Sequence, residues 1–171
     1  MTGVRSLLFV TGPSGIGKTT LARALGNYKD TNLIYIPFYE SPENLREAVE
    51  VILEGLRRSR YQEFIDLAKK LAHAAVARVA GKDVLEAISD SDENRQKVYM
   101  LFNEIAEHAD KSKRLTIVVL DEAQNLLRRL RGFGEEWGYT VWSFVKGLSS
   151  IQEQSVYTRF VIVTSDYFFH E

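Results

Sequence analysis

The chain has 171 residues, which fits one domain with a full-size core and leaves little room for a second. At 45% hydrophobic and 26% charged residues with only 3 Pro, it is not a disordered tail, a collagen or a low-complexity scaffold. The formal net charge of -1 gives no bulk attraction to nucleic acid or an anionic membrane, though a local basic patch stays open, and zero Cys excludes disulfides, Cys-ligated zinc, iron–sulfur clusters and a thiol nucleophile.

In chain order, a strand is expected from about Ser6 to Thr11, then a glycine-rich turn, then a helix through Lys18 to Leu25 stopped by Gly26 and Asn27. The early apolar stretch Leu7 to Val10 is too short for a signal peptide or a membrane span, so a soluble, cytoplasmic protein is expected, with no membrane partner. Leu33 to Ile36 reads as a second strand closed by Pro37. Ser41 and Pro42 read as an N-cap and first-turn proline before a helix whose apolar face is Leu45, Ala48, Val49, Ile52 and Leu56.

A further helix is expected from Tyr61 to Val79, with Phe64, Leu67, Ala68 and Leu71 on one side and Gly81 as its stop. The run from Ser89 to Asn94 reads as a polar loop before a helix carrying Val98, Leu101, Phe102 and Ile105 that ends near Lys111. Thr116 to Leu120 is a continuous β-branched and apolar run, the pattern of a strand buried on both faces. A short helix over Leu126 to Leu130 follows, then a loop with Gly132, Gly134 and Gly138, a helix bearing Val141, Phe144, Val145, Leu148 and Ile151, and a last buried strand from Arg159 to Thr164. Strands alternating with helices imply an α/β fold, a parallel sheet covered on both faces.

Gly12-Pro13-Ser14-Gly15-Ile16-Gly17-Lys18-Thr19 matches G-x-x-x-x-G-K-[ST] at every fixed position, with an apolar strand before it and an amphipathic helix after it. Such a loop wraps phosphate oxygens with backbone N–H groups and feeds them to a helix N-terminus. The segment Gly12 to Thr20 is therefore expected to bind nucleotide, with Lys18 bridging the β- and γ-phosphates and the Thr19 hydroxyl ligating Mg²⁺. The other reading is a glycine-rich strand-to-helix turn that holds no ligand.

Asp121 and Glu122 stand at the tip of the Ile117 to Leu120 strand, and strand C-terminal ends collect at the ligand edge of a parallel sheet. Asp121 would hold Mg²⁺, through a water, and Glu122 would polarise the water that attacks the γ-phosphate. The bland alternative is an acidic pair favouring the N-terminus of the next helix. Thr164, and after it Ser165, end the last strand at the same edge, where a hydroxyl could orient that water or sense the γ-phosphate. Ordinary turn chemistry is the alternative for each.

With Gly12 to Thr20, the Leu120-Asp121-Glu122-Ala123-Gln124 segment and the strand ending at Thr164, the chain resembles a P-loop ATPase of the AAA+ and STAND division, and more narrowly the archaeal ATPase family. The Asp-Glu-Ala-Gln run also occurs in AAA+ ATPases of secretion and transposition systems. The resemblance implies a three-layer P-loop fold with strand order 5-1-4-3-2, ATP with Mg²⁺, and a switch or motor role coupled to a C-terminal lid and effector region. Residues 40–112 would be a helical insertion within a core spanning residues 1–171. Only Met1 to Arg5 precede the first strand, and Tyr167-Phe168-Phe169-His170-Glu171 ends the chain where the resemblance calls for a fifth strand and lid. The expectation is a core cut short before that strand, or a minimal form whose edge pairs with another chain by self-association.

A small-molecule or nucleotide kinase is the second function, since the Gly12-Pro13-Ser14-Gly15 start resembles guanylate kinases; a GMP-binding segment after the first helix is not found. A nucleotide-dependent assembly module with little turnover is the third. A GTPase is disfavoured because no Asn-Lys-x-Asp run is present. Arg128, Arg129 and Arg131 could touch nucleic acid or a neighbour's γ-phosphate, but such a run is more often a solvated face, as Arg57, Arg58 and Arg60 are read to be. Trp142 lies off its helix's apolar face and is either a contact surface or packed under the preceding loop, while His73, His108 and His170 have no ligand spacing.

Overall fold

The two continuous apolar runs lie side by side at the centre of one parallel sheet. The computed structural model describes residues 7–79, 91–131 and 134–165. Its strands are β1 (Leu8–Thr11), β2 (Asn32–Pro37), β3 (Thr116–Asp121) and β4 (Thr158–Thr164), in the order β1-β4-β3-β2. All three pairings are parallel. This matches the 1-4-3-2 part of the expected order, and it explains the sequence: β3 and β4 are central, so their side chains meet protein on both faces. The register puts Thr11 opposite Thr164, Asp121 opposite Val163 and Pro37 opposite Asp121, so the four C-terminal ends finish on one edge.

The helices are α1 (Lys18–Ala24, continued by a 3₁₀ turn Leu25–Asn27), α2 (Leu45–Arg57), α3 (Gln62–Val79), α4 (Ser91–Ser112), α5 (Ala123–Leu130) and α6 (Trp137–Gln154). They divide unequally between the faces. On one face α1 packs through Ala22 on Val119, Val161 and Val163, with Val10, Leu33 and Tyr35 partly covered beside it. On the other, α2 to α6 share one core in which Ile34, Ile52, Phe64, Phe102, Ile105, Phe144 and Phe160 are buried. Each such side chain contributes about 1.5–3 kcal/mol relative to exposure. Period-two alternation in β2 does the sorting: Ile34 and Ile36 face the large core, Leu33 and Tyr35 face α1. Close approach of α2 to β2 depends on Gly55, where a Cβ would stand 2.9 Å from the Tyr35 carbonyl oxygen. Arg95 of α4 bonds both oxygens of Glu135 at 2.7 Å, and Thr140 donates to the same carboxylate at 2.8 Å, which ties α4 to the start of α6.

Several element starts differ from the sequence reading. The N-cap of α2 is Asn44, not Ser41: Asn44 Oδ1 accepts the Glu47 N–H at 2.9 Å, and Glu47 Oε2 accepts the Glu43 N–H at 2.6 Å. Asn44 thus satisfies one of the open N–H groups of the first turn, and Glu47 ties down the residue just before the cap. Ser91 to Asn94 belong to α4 and not to a loop, α5 begins at Ala123 instead of Leu126, and α6 takes in Gly138. Gly81, Ser89, Asp90, Gly132 and the terminal aromatic run lie outside the described residues. Among the described residues no helix is long and apolar enough to cross a membrane.

Candidate functional site

Between β1 and α1 the chain turns through Gly12, Gly15 and Gly17 at φ 145°, 84° and 93°, a region that residues with a Cβ avoid. A Cβ on Gly12 would stand 2.5 Å from Ile16 Cδ1, whereas one on Gly15 or Gly17 would meet nothing within 4 Å. Ile16 is exposed and its side-chain end could give way, so it is the positive φ that calls for glycine at all three positions, with open space beside Gly15 and Gly17 at the mouth of the loop. Pro13, Ser14, Ile16 and Thr20 are exposed around that mouth. Lys18 is buried and turns back over the loop, its Nζ donating to the Gly12 carbonyl and to the Pro13 carbonyl at 2.8 Å. A cation is thus held inside an open backbone loop at the start of a helix, the arrangement a phosphate chain fits.

Thr19, on the first turn of α1, donates to Asp121 Oδ2 at 2.7 Å. Asp121 ends β3 and is 1% exposed. The same oxygen accepts from the Tyr35 hydroxyl at 2.5 Å, and Oδ1 accepts the Glu122 N–H at 3.1 Å. Burial and then the hydrogen bond to Asp121 push the Tyr35 phenol above its ordinary range, so it stays a donor. A hydroxyl and a carboxylate in contact are hard oxygen donors that suit Mg²⁺. Among the described residues no group of three or more His, Cys, Asp and Glu could hold a metal, so a cation here would depend on this pair, the nucleotide and water.

Glu122 is left-handed, at φ 54° and ψ 44°, and this reversal starts α5. Its carboxylate points to a different set of partners from that of Asp121. Gln124, 7% exposed, donates through Nε2 to Glu122 Oε2 and to Ser165 Oγ at 3.2 Å, and its Oε1 accepts from the fully buried Thr164 hydroxyl at 2.8 Å. Thr164 Oγ1 also lies 3.3 Å from the Ser165 carbonyl. Glu122, Thr164 and Ser165 are therefore joined through one amide. Asn125 Nδ2 reaches the carbonyls of Phe38 at 2.7 Å and Tyr39 at 3.3 Å, fixing α5 against the turn after β2.

All the sequence-derived candidates thus sit on one sheet edge, in two linked groups: the loop with Thr19 and Asp121, and Glu122 with Thr164 and Ser165. Sequence reasoning missed Gln124 and Tyr35 as site residues. A polar amide on the otherwise apolar buried side of α5 was the available signal for the first; a tyrosine inside a strand gave none for the second. The arginines lie further along: Arg128 contacts Asn125 at 3.4 Å, and Arg131 donates to the Glu135 carbonyl at 2.7 Å. Arg57 and Arg58 form exposed ion pairs with Glu50 and Glu54. Trp142 is exposed, with Lys146 over its ring at 4.7 Å, rather than packed under the loop.

Among curated proteins none matches the sequence significantly. Among solved structures, the chain is similar to the ORC2 protein of Aeropyrum pernix, whose structure holds ADPNP and ADP: 18% identity, TM-score 0.49, with 96% of this chain and 36% of that one covered. The chain therefore spans about a third of the length of that protein. A family model described as an AAA domain matches residues 2–166, and with the parallel sheet and phosphate loop in place the chain belongs to that family as an ATPase-type domain.

Proposed function

We propose that this chain is an ATP-binding, Mg²⁺-dependent, ATP-hydrolysing switch or motor domain of the AAA+/STAND type, resembling the archaeal ATPase family. The observation that carries the reading is the 2.7 Å contact between Thr19 and Asp121, 102 positions apart in the chain. It brings the hydroxyl of the phosphate loop to the carboxylate at the tip of β3, the pairing that cation-assisted phosphoryl chemistry requires.

In this reading the backbone of Gly12 to Thr20 holds the phosphates and Lys18 neutralises their charge. Thr19 and Asp121 hold the cation, which when bound supplies charge neutralisation of the phosphate oxygens. Gln124 donates to Glu122 Oε2 and so orients the carboxylate that takes the proton of the attacking water. Thr164 and Ser165 report on that carboxylate through Gln124. The described helices within residues 40–112 form the insertion in this core, and the exposed Trp142, Arg128 and Arg131 are where a partner or second copy would be sought.

Nucleotide affinity and phosphate release measured on the full chain, on Lys18→Ala and on Glu122→Gln test the proposal. Lys18→Ala should weaken nucleotide binding at least about tenfold, and Glu122→Gln should keep the nucleotide while losing about 100-fold or more in turnover. Absence of nucleotide binding by the full chain would refute the proposal. Binding with equal, negligible turnover in the full chain and Glu122→Gln would leave a binding module in its place, and phosphate transfer to an added nucleoside monophosphate would mean a kinase.

A further inference from the structure

Tyr35 reaches the same carboxylate oxygen as Thr19, from the strand next to β3. It lies on β2, beside β3 in the sheet, and its place in the alternation turns it to the α1 face. Its ring is clamped there: the Arg23 guanidinium sits 4.4 Å over the centroid, and Arg23 in turn donates to the Tyr39 hydroxyl at 3.3 Å. The hydroxyl meets Asp121 Oδ2 at 2.5 Å, and Thr19 meets it at 2.7 Å. An ionised carboxylate offers about two acceptor sites on each oxygen, so these two hydroxyls take both sites on Oδ2.

We infer that Tyr35 is a positioning residue that lowers the affinity of the Thr19–Asp121 pair for a divalent cation, by holding an acceptor site on Asp121 that a hydrated cation would otherwise use. The inference rests on the proposed reading of Thr19 and Asp121 as the cation-holding pair. Two opposed effects decide its sign. Removing a donor frees negative charge on Oδ2, which favours the cation; it also loosens the carboxylate, which disfavours it. The second effect is the smaller here, because Thr19 still holds Oδ2 and the Glu122 N–H still holds Oδ1. The carboxylate stays pinned at both oxygens without the phenol, and the charge effect wins. Losing a hydrogen-bonding partner of a metal ligand usually costs about 10- to 100-fold in affinity, because the ligand loosens; with Asp121 still pinned at both oxygens, what remains is the release of one hydrogen bond to a charged group, an effect of about tenfold in the other direction.

The experiment is a titration of Mn²⁺, followed by electron paramagnetic resonance, into the full chain holding a non-hydrolysable ATP analogue, for wild type, Tyr35→Phe, Asp121→Asn and the double variant. Tyr35→Phe should bind Mn²⁺ about tenfold more tightly, leave nucleotide affinity in EDTA unchanged, and have no effect in the Asp121→Asn background. Tyr35→Leu, which also loses the ring, should shift metal affinity in the same direction. Mn²⁺ affinity unchanged or weakened in Tyr35→Phe overturns the inference alone, as does an equal effect in the Asp121→Asn background. A wild-type chain that holds the nucleotide analogue but no Mn²⁺ overturns the cation reading and the inference with it.

Discussion

Replacing Gln124 with Ala tests whether the amide between Glu122 and the end of β4 is structural, functional or both. The substitution takes the acceptor from the Thr164 hydroxyl, which is fully buried and keeps only the Ser165 carbonyl at 3.3 Å. A buried hydroxyl left poorly satisfied costs about 1–3 kcal/mol, and the lost side-chain methylene adds about 1 kcal/mol. Unfolding in urea should therefore show about 2–4 kcal/mol of lost stability. The functional effect is separate. Glu122 loses the donor that fixes one of its oxygens, and displacing a reacting group by about 1 Å costs about 100-fold in rate. Phosphate release at saturating ATP and Mg²⁺, well below the unfolding transition, should fall by about that factor while nucleotide affinity holds. Full turnover in a destabilised variant would refute the positioning role and leave Gln124 as a core amide; unchanged stability would refute the burial argument.

Two further outcomes follow from local geometry. Glu122 is held at φ 54°, where a side chain costs about 1–2 kcal/mol that glycine does not, so Glu122→Gly should be about 1 kcal/mol more stable than Glu122→Ala in urea titrations, although neither should turn over. His108, edge-on to Phe64 at 4.8 Å with Nε2 buried and without a hydrogen-bond partner among the described residues, has its pKa held below 6.5 chiefly by burial. The unfolded chain then takes up this proton before the folded one, so the contribution of His108 is intact above pH 6.5 and lost as pH falls toward the lowered folded value. His108→Gln should flatten that part of the stability–pH curve, and a slope of the same size in the variant would refute the assignment.

The phosphate loop was legible because its conformation is written in glycine spacing: positions 12, 15 and 17 are those that take positive φ. The central strands were legible because burial on both faces leaves a continuous apolar run, as in Val118, Val119 and Leu120. Helix starts were less so, since Ser41 and Asn44 both suit an N-cap and only Asn44 has an acidic partner three residues on, at Glu47. What stayed hidden joins residues distant in the chain. Gln124 acquires its role from Thr164, 40 positions later, and Tyr35 from Asp121, 86 positions later. Local periodicity places each on its element but does not say which partner the sheet register will bring to it.

The two adjacent acids at the tip of β3 illustrate how one backbone reversal separates two chemical tasks. Asp121 is still in the strand, and its carboxylate turns to the α1 face, where Thr19 and Tyr35 hold it. Glu122 is left-handed, so the chain leaves the strand there and its carboxylate is held from α5 by Gln124, which also holds the end of β4. A regular strand would place neighbouring side chains on opposite faces but would not bring the second one to Gln124. The two carboxylates share one link along the chain, the Glu122 N–H on Asp121 Oδ1, while their side-chain partners are distinct. Under the proposed function this makes cation affinity and water activation separately adjustable: a change at Tyr35 acts on Asp121, a change at Gln124 or Thr164 acts on Glu122. The strain at residue 122 is then the cost of keeping the two apart.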